Sequence, residues 1–279
     1  MNHTRRKDRC CNRRDLLHAH YVLVLCFLSV MCSLPIVRTF ARDLHPGIIG
    51  SDDRRVVDQR SSPWAAIGQV NSTGYRYTRR CTGSLIGSNI VITAAHCVMD
   101  PWRQKPFPLH QIHFVAGVRG SDWLGHSTAE CLYFPPGYGY VSSGKILKTL
   151  PSDDSVPRRA LLRDMVLIVL KDALNNITPL ALDRAEVESS DTSLVHASYA
   201  ADRRYVLTGH FECHFLAGDR DLWFTDCDTN AAGSGGPVLV RRNQDLKLGA
   251  IMVGVAKGSA SIALPIASWI DDALKRDCS

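Results

Sequence analysis

Residues 227–237 read Cys227-Asp228-Thr229-Asn230-Ala231-Ala232-Gly233-Ser234-Gly235-Gly236-Pro237, and the apolar run Val238-Leu239-Val240 follows directly. Glycines permit the positive φ values that tight turns need, and they let a substrate approach the backbone. A serine held in such a turn is exposed as a nucleophile, but its hydroxyl reacts poorly without a base and a group that orients this base. The stretch therefore predicts a histidine and a carboxylate elsewhere in the chain.

Two other stretches supply these groups. His96 lies in Thr93-Ala94-Ala95-His96-Cys97, and Asp164 lies in Arg163-Asp164-Met165-Val166-Leu167, directly before an apolar strand. An imidazole with a pKa of about 6.5 can take the serine proton and return it to a leaving amine. The carboxylate would fix the imidazole tautomer and stabilise the imidazolium. His96, Asp164 and Ser234 are therefore the predicted catalytic residues.

The histidine motif and the Gly-Ser-Gly-Gly-Pro segment resemble those of the trypsin-like serine peptidases, which share the chymotrypsin fold and the order histidine, aspartate, serine. The resemblance extends from about Ile48 to the C-terminus, and the opening stretch is closest to the bacterial glutamyl-endopeptidase-like branch. Many short apolar runs also indicate barrels or a sandwich. We expect an all-β fold of two antiparallel six-stranded β-barrels, over about 48–150 and 165–266, and a short C-terminal helix over 268–275. The active site would lie in the cleft between the barrels.

The resemblance also assigns an oxyanion hole to the backbone N–H groups of Ala232 and Ser234. The family usually has glycine at the position of Ala232, so a Cβ there is expected to strain the turn or to shift the donor. Gly233 replaces an acidic residue that digestive trypsins pair with a freed N-terminal amine. Activation by that ion pair is therefore expected to be absent.

Two interpretations of substrate specificity stay open. Asp228 stands six residues before Ser234, the offset at which trypsins bind Arg or Lys side chains, and this favours cleavage after Arg or Lys. Asp228 could equally be hydrogen-bonded within the Cys227 loop. For a Glu-specific endopeptidase, Thr229 would supply the expected hydroxyl, but Ala256 stands where that branch has a histidine, and Lys257 would have to provide the cation.

The first 41 residues are predicted to be a targeting segment that precedes a protease domain over 42–279. A basic start, the apolar run 21–31 and the small-x-small sequence Thr39-Phe40-Ala41 are typical of a signal peptide. The run is shorter than the about 20 residues of a membrane span, so we prefer a cleaved signal to a retained anchor. Asn12-Arg13-Arg14-Asp15-Leu16-Leu17 also resembles a twin-arginine signal. We expect a secreted or periplasmic protein that contacts a membrane only where this segment is retained.

Ten cysteines become six after cleavage behind Ala41. An even number in an exported chain favours disulfides, and spacing alone does not choose the pairs. The family resemblance implies Cys81–Cys97, beside the histidine, and Cys213–Cys227, before the nucleophile. Cys131–Cys278 is the pair that remains.

The net charge of +6 gives little reason to expect a nucleic-acid partner, because much of it lies in the first fourteen residues. His210-Phe211-Glu212-Cys213-His214 contains metal-ligand types without the His-Glu-x-x-His order of zinc peptidases, so we expect no metal and no organic cofactor. An esterase with a nucleophile elbow is excluded because no histidine follows Ser234. The predicted function is a monomeric serine endopeptidase acting on polypeptides, and the alternative is a non-catalytic binding protein on the same scaffold.

Overall fold

Most of the fifteen strands found in the described residues form two closed barrels. The computed structural model describes residues 47–75, 77–138, 161–187, 192–256, 258–275 and 278. The predicted signal segment, residues 1–41, lies outside them. The strands are β1 (Arg54–Val56), β2 (Ile67–Thr73), β3 (Thr78–Gly87), β4 (Ile90–Thr93), β5 (Met99–Asp100), β6 (Lys105–Pro106), β7 (Ile112–Ala116), β8 (Gly125–Tyr133), β9 (Val166–Leu170), β10 (Ser193–Ser198), β11 (Thr208–Gly218), β12 (Trp223–Thr225), β13 (Pro237–Arg242), β14 (Asp245–Ala256) and β15 (Ala260–Pro265).

The first barrel closes in the order β2-β3-β4-β9-β8-β7, and all of its pairs are antiparallel. Its strands are short and rich in Val, Ile and Leu, the residues that fit a pleated and largely buried surface. In β9, which reads Val-Leu-Ile-Val-Leu, four of the five residues are buried. This barrel carries both the histidine and the aspartate predicted to act on the serine.

The second barrel closes in the order β11-β10-β13-β14-β15-β12, with β12 paired back to β11, and β1 adds to the outer edge of β11. The predicted all-β fold of two six-stranded antiparallel barrels is therefore confirmed. The boundary between the barrels differs from the prediction. β9 pairs with β4 and β8, so the first barrel extends to Leu170. The sequence of an apolar strand does not indicate which strands it will pair with. The prediction therefore placed the run 166–170 in the second barrel, which was expected to begin at about residue 165.

A buried apolar cluster joins the two barrels. It combines residues of the first barrel and its connections with residues from the strand β10 and the loop that follows it: Val57, Ile67, Val118, Ala197, Tyr199 and Leu207. Burial of this many aliphatic and aromatic side chains away from water favours one fixed arrangement of the barrels. The residues where the two barrels meet are therefore held in a defined arrangement.

The C-terminal segment forms helix α1 over Trp269–Ala273, within the predicted range, and Ile270 and Ala273 are its buried residues. The described residues contain three disulfides: Cys81–Cys97 and Cys213–Cys227, the pairs that the resemblance implies, and Cys131–Cys278, the pair that remained. Each restricts the unfolded chain and so favours the folded state. In the part of the chain that the structure describes, no helix is long and apolar enough to cross a membrane.

Candidate active site

Ser234 is held where the two barrels meet. Its carbonyl accepts a hydrogen bond from the N–H of Thr82 in β3 (2.9 Å), and the next N–H, of Gly235, donates to the carbonyl of Met252 in β14 (2.6 Å). Gly235 has φ of +79°, and a Cβ on it would lie 2.0 Å from Thr93 Oγ1. Only glycine fits this close approach, so the sequence around the serine is dictated by the junction that holds it.

His96 and Asp164 are brought together by the pairing of β4 with β9. Thr93 at the end of β4 lies opposite Val166 at the start of β9, which puts the residues just beyond these two strand ends side by side. One carboxylate oxygen of Asp164 accepts the His96 backbone N–H (2.8 Å), and the other lies 2.6 Å from His96 Nδ1. A carboxylate only accepts, so Nδ1 carries the hydrogen and Nε2 presents its lone pair.

Ser234 and His96 line the same cavity, of about 410 Å³, together with Ala232. Within the described part of the chain, the backbone N–H groups of Ala232 and Ser234 donate to no other group. Two free N–H groups beside a nucleophile can bind the oxyanion of a tetrahedral intermediate. Ser234 and His96 share no hydrogen bond among these residues, as is common in a site without substrate, where this contact tightens only in the reacting complex.

Ala232 has φ of +69°, in the left-handed region. A Cβ in that region costs on the order of 1 kcal/mol compared with glycine, in agreement with the expected strain. Two bonds hold the turn in this conformation: Thr82 Oγ1 donates to the carbonyl of Ala232 (3.0 Å), and the Ala201 N–H donates to the carbonyl of Ala231 (2.6 Å).

Asp228 is completely buried and does not line the cavity. Its two carboxylate oxygens accept the backbone N–H groups of Ile49 (2.8 Å) and Asp53 (2.9 Å). Its own N–H donates to His210 Nδ1 (2.8 Å). Asp53, His210 and Asp228 offer three potential metal-ligand atoms within 4.8 Å of one another, but these contacts already use both Asp228 oxygens and His210 Nδ1. The group holds the N-terminal segment.

Thr229 lines the cavity, but its hydroxyl lies 3.0 Å from His196 Nε2. Its methyl group faces Gly47, on which a Cβ would lie 3.0 Å from Thr229 Cγ2. β14 contributes the stretch 252–255 to the cavity and Ala256 lies beyond it, while Lys257 lies outside the described residues. Of the three predicted specificity residues that the structure describes, it thus brings one, Thr229, to the cavity.

Comparison with known proteins gives the family of the chain. The model of the family described as Trypsin matches residues 52–198. The chain belongs to the trypsin family. Among curated relatives, mannan-binding lectin serine protease 1 of Rattus norvegicus is 32% identical over 82 residues, which are 27% of this chain and 11% of that protein. The chain therefore spans only a small part of the length of that relative.

Solved structures share the fold. A Glu endopeptidase in complex with MPD has a TM-score of 0.65 at 19% identity and covers 81% of this chain and 97% of its own. The protease Anisep from Arthrobacter nicotinovorans has a TM-score of 0.58 at 15% identity and covers 78% and 96%. At these identities the likeness concerns the fold alone.

A buried histidine behind the nucleophile turn is a feature of this trypsin-family chain that the sequence did not reveal. His196 in β10 has Nδ1 3.0 Å from the carbonyl oxygen of Pro237 and Nε2 3.0 Å from Thr229 Oγ1. A carbonyl only accepts, so Nδ1 donates and Nε2 accepts the Thr229 hydroxyl hydrogen. Burial lowers the pKa of His196 to about 4. The only sequence signal was a histidine within an apolar strand.

An N-terminal strap, residues 47–56, forms one wall of the site. The Gly47 carbonyl accepts the Thr229 N–H (2.9 Å), and Gly47 lines the cavity. At the other end of the strap, β1 pairs with β11, and the buried guanidinium of Arg54 binds the carboxylates of Asp52 and Asp202. Its hydrogen bonds to Asp52 lower the pKa of that carboxyl to about 2. No sequence pattern predicted this network, because its partners lie far apart in the chain.

Proposed function

We propose that this protein is a serine endopeptidase that hydrolyses peptide bonds through Ser234, His96 and Asp164. One observation carries the proposal: the Asp164 carboxylate accepts both N–H groups of His96, at 2.6 and 2.8 Å, and so directs the Nε2 lone pair away from itself. The cavity that His96 lines also contains Ser234 and two backbone N–H groups that donate to no other described residue. Nucleophile, base and oxyanion donors thus surround one space, as acyl transfer requires.

In the proposed mechanism, Ser234 Oγ attacks the scissile carbonyl while His96 Nε2 takes the hydroxyl proton. The N–H groups of Ala232 and Ser234 bind the oxyanion that forms. When the intermediate collapses, the C–N bond breaks, and His96 returns the proton to the leaving amine. Water then repeats the sequence on the acyl-enzyme and releases the acid. Asp164 remains ionised and stabilises the imidazolium in both halves.

The preference at the residue whose carbonyl is attacked is part of the proposal. The prediction of cleavage after Arg or Lys required the Asp228 carboxylate to bind the substrate side chain. The prediction of cleavage after Glu required the Thr229 hydroxyl and Lys257 to do so. The Asp228 carboxylate and the Thr229 hydroxyl both have partners inside the protein. Their contacts favour an uncharged side chain instead, packed against Gly47, the Thr229 methyl group and the β14 stretch 253–255, which line the cavity.

The test compares the full chain, expressed in a host that exports it to an oxidising compartment, with Ser234→Ala. Both proteins are treated with a serine-directed fluorophosphonate and then with a peptide mixture whose cleavage sites are identified by mass spectrometry. We expect labelling and cleavage in the wild type and neither in the variant. Thr73→Ala, a change of an exposed hydroxyl in β2, is the control and should behave as the wild type.

A folded wild type that neither labels nor cleaves would contradict the proposal and favour the alternative of a binding protein. Cuts after Arg, Lys or Glu would retain the enzyme and overturn the proposed uncharged preference. The three disulfides favour an oxidising compartment, outside the cell or in the periplasm. Export by the signal segment and the monomeric state stay predictions.

A further inference from the structure

A second cavity, of about 210 Å³, adjoins the one that contains Ser234. The two share residues of β3 and of the nucleophile loop: Thr78, Arg80, Cys81, Ala231 and Ala232. Beyond these, the second cavity is lined by Gln69 and Asn71 of β2 and by the connection after β10, which contributes Arg204 and Tyr205. It therefore lies on the other side of Ala232 from Thr229 and β14.

This position determines which part of a substrate can enter. A substrate peptide binds across Ser234 in one direction, with the oxygen of its scissile carbonyl at the N–H groups of Ala232 and Ser234. The residue that supplies this carbonyl packs against Thr229 and β14 in the proposed mechanism. The chain beyond the scissile bond must continue past Ala232, and the second cavity is the space that receives it.

The charge of this region is one-sided. Arg80 and Arg204 line the second cavity, and Arg79 lines the first. Of the described residues that line the two cavities, none carries a carboxylate. Within the same described ranges, none of these three guanidinium groups forms an ion pair, whereas Arg54 and Arg203 are both bound to Asp52.

Two neighbouring contacts keep Arg204 at the cavity. The Gln69 side-chain amide donates to the Arg204 carbonyl (2.5 Å), and the Arg204 guanidinium lies over the Tyr205 ring, 6.0 Å from its centre. Arginine is suited to bind carboxylates because its planar fork donates several hydrogen bonds at once. Two arginines that form no ion pair within the described residues therefore make the groove favourable for a negatively charged group.

We infer that the enzyme prefers substrates with Asp or Glu in the first two positions after the scissile bond, and that Arg80 and Arg204 bind this carboxylate. The inference rests on the proposed function, and it names specificity residues on the leaving-group side that the sequence motifs do not contain. Arg79 would add to the positive electrostatic potential of the groove without contacting the substrate carboxylate.

The experiment uses quenched fluorescent peptides that are identical up to the scissile bond and carry Asp, Asn or Lys at each of the two following positions. We measure kcat/KM for wild type, Arg80→Gln, Arg204→Gln and the double variant. For the wild type we expect Asp to exceed Asn by roughly five- to tenfold, the range of a partly exposed charge-assisted contact, and Lys to be the poorest. Raising the salt concentration should reduce the preference.

In the double variant the ratio of Asp to Asn should fall to less than about twofold, the remainder that Arg79 supplies, and Arg241→Gln, an exposed arginine in β13 outside both cavities, should keep the wild-type ratio. Arg80→Lys should keep part of the preference because it keeps the charge. Equal rates on Asp and Asn peptides in a wild type that reacts with the fluorophosphonate, or a preference unchanged in the double variant, would overturn this inference alone. A folded wild type that does not react with the fluorophosphonate would overturn the proposed function, and this inference with it.

Discussion

Asp164 and Asp228 are both buried and accept the same number of hydrogen bonds, but their donors belong to different parts of the site. Each is at most 5% exposed, and each carboxylate accepts two N–H groups at 2.6–2.9 Å. For Asp164, both donors belong to His96, and one is the imidazole. For Asp228, both are backbone amides of the N-terminal strap. The partners, and not the burial, distinguish the two residues: Asp164 is bonded to the proposed catalytic base, and Asp228 holds the N-terminal strap.

The contacts of Asp228 attach the N-terminal strap to the nucleophile loop, although Gly233 replaces the acidic residue that digestive trypsins use for this purpose. A Cβ on Gly233 would lie 2.2 Å from Thr229 Oγ1, so the turn has no room for a side chain there. The strap instead contacts the start of the nucleophile loop. The Asp228 carboxylate accepts the N–H of Ile49, and the Thr229 N–H donates to the carbonyl of Gly47. Internal amides are the donors, so this contact does not require a freed amine.

The largest effect is expected for Asp164→Asn. The amide presents a donor to Nδ1, which favours the wrong imidazole tautomer, and kcat should fall by about 10⁴-fold. The free energy of unfolding should change little, because in the other tautomer Nδ1 accepts the amide hydrogen and the His96 backbone N–H keeps its acceptor. Asp172→Asn, at the opposite end of β9, is the control and should keep most of the activity. A loss of less than tenfold in kcat for Asp164→Asn would remove Asp164 from the proposed triad.

Asp228→Asn should show the reverse pattern. One of the N–H groups of Ile49 and Asp53 would face an amide NH₂ and lose its acceptor inside the protein, which costs about 1–3 kcal/mol in the free energy of unfolding. KM should rise because Gly47, in the strap, lines the cavity, while kcat should fall much less than for Asp164→Asn. Chemical denaturation and steady-state kinetics measure the two effects.

The control for Asp228→Asn is Asp53→Asn, because the Asp53 side chain is exposed and its backbone N–H, the actual donor, is unchanged. It should unfold as the wild type does. A strong loss of cleavage after Arg or Lys in Asp228→Asn, with unchanged stability, would contradict the anchoring role and restore Asp228 as a specificity residue.

The same contrast shows what the sequence could predict. His96, Asp164 and Ser234 stand in local motifs, and the all-β fold follows from many short apolar runs, so both could be predicted from neighbouring residues. Asp228 also stands at a recognisable offset, but its function depends on Ile49 and Asp53, 179 and 175 residues away. The assignment of β9 to the first barrel depended on strand pairing in the same way. Contacts between distant segments decide such features, and no local pattern contains them.

His196 joins the two ends of the nucleophile loop, because it contacts both Thr229, next to Asp228, and Pro237, beyond Ser234. Burial is the main reason that its pKa falls from 6.5 to about 4, and the charges of His210 and Arg54 contribute to this shift. Above about pH 6.5 the imidazole is neutral in both the folded and the unfolded chain. Between about pH 6.5 and pH 4 only the unfolded chain binds the proton, so the free energy of unfolding should fall as the pH falls, by up to about 3 kcal/mol in total.

His196→Gln keeps an acceptor for the Thr229 hydroxyl but cannot titrate, so the difference in unfolding free energy between wild type and variant should shrink as the pH falls through this range. The comparison isolates His196 from His113, whose pKa burial also lowers, and from Asp52, which acts at lower pH because its pKa is about 2. Denaturant unfolding at pH 7, 5.5 and 4.5 measures the difference. A difference that stays constant would mean that His196 does not remain neutral in the folded protein, and that Thr229 is held in some other way.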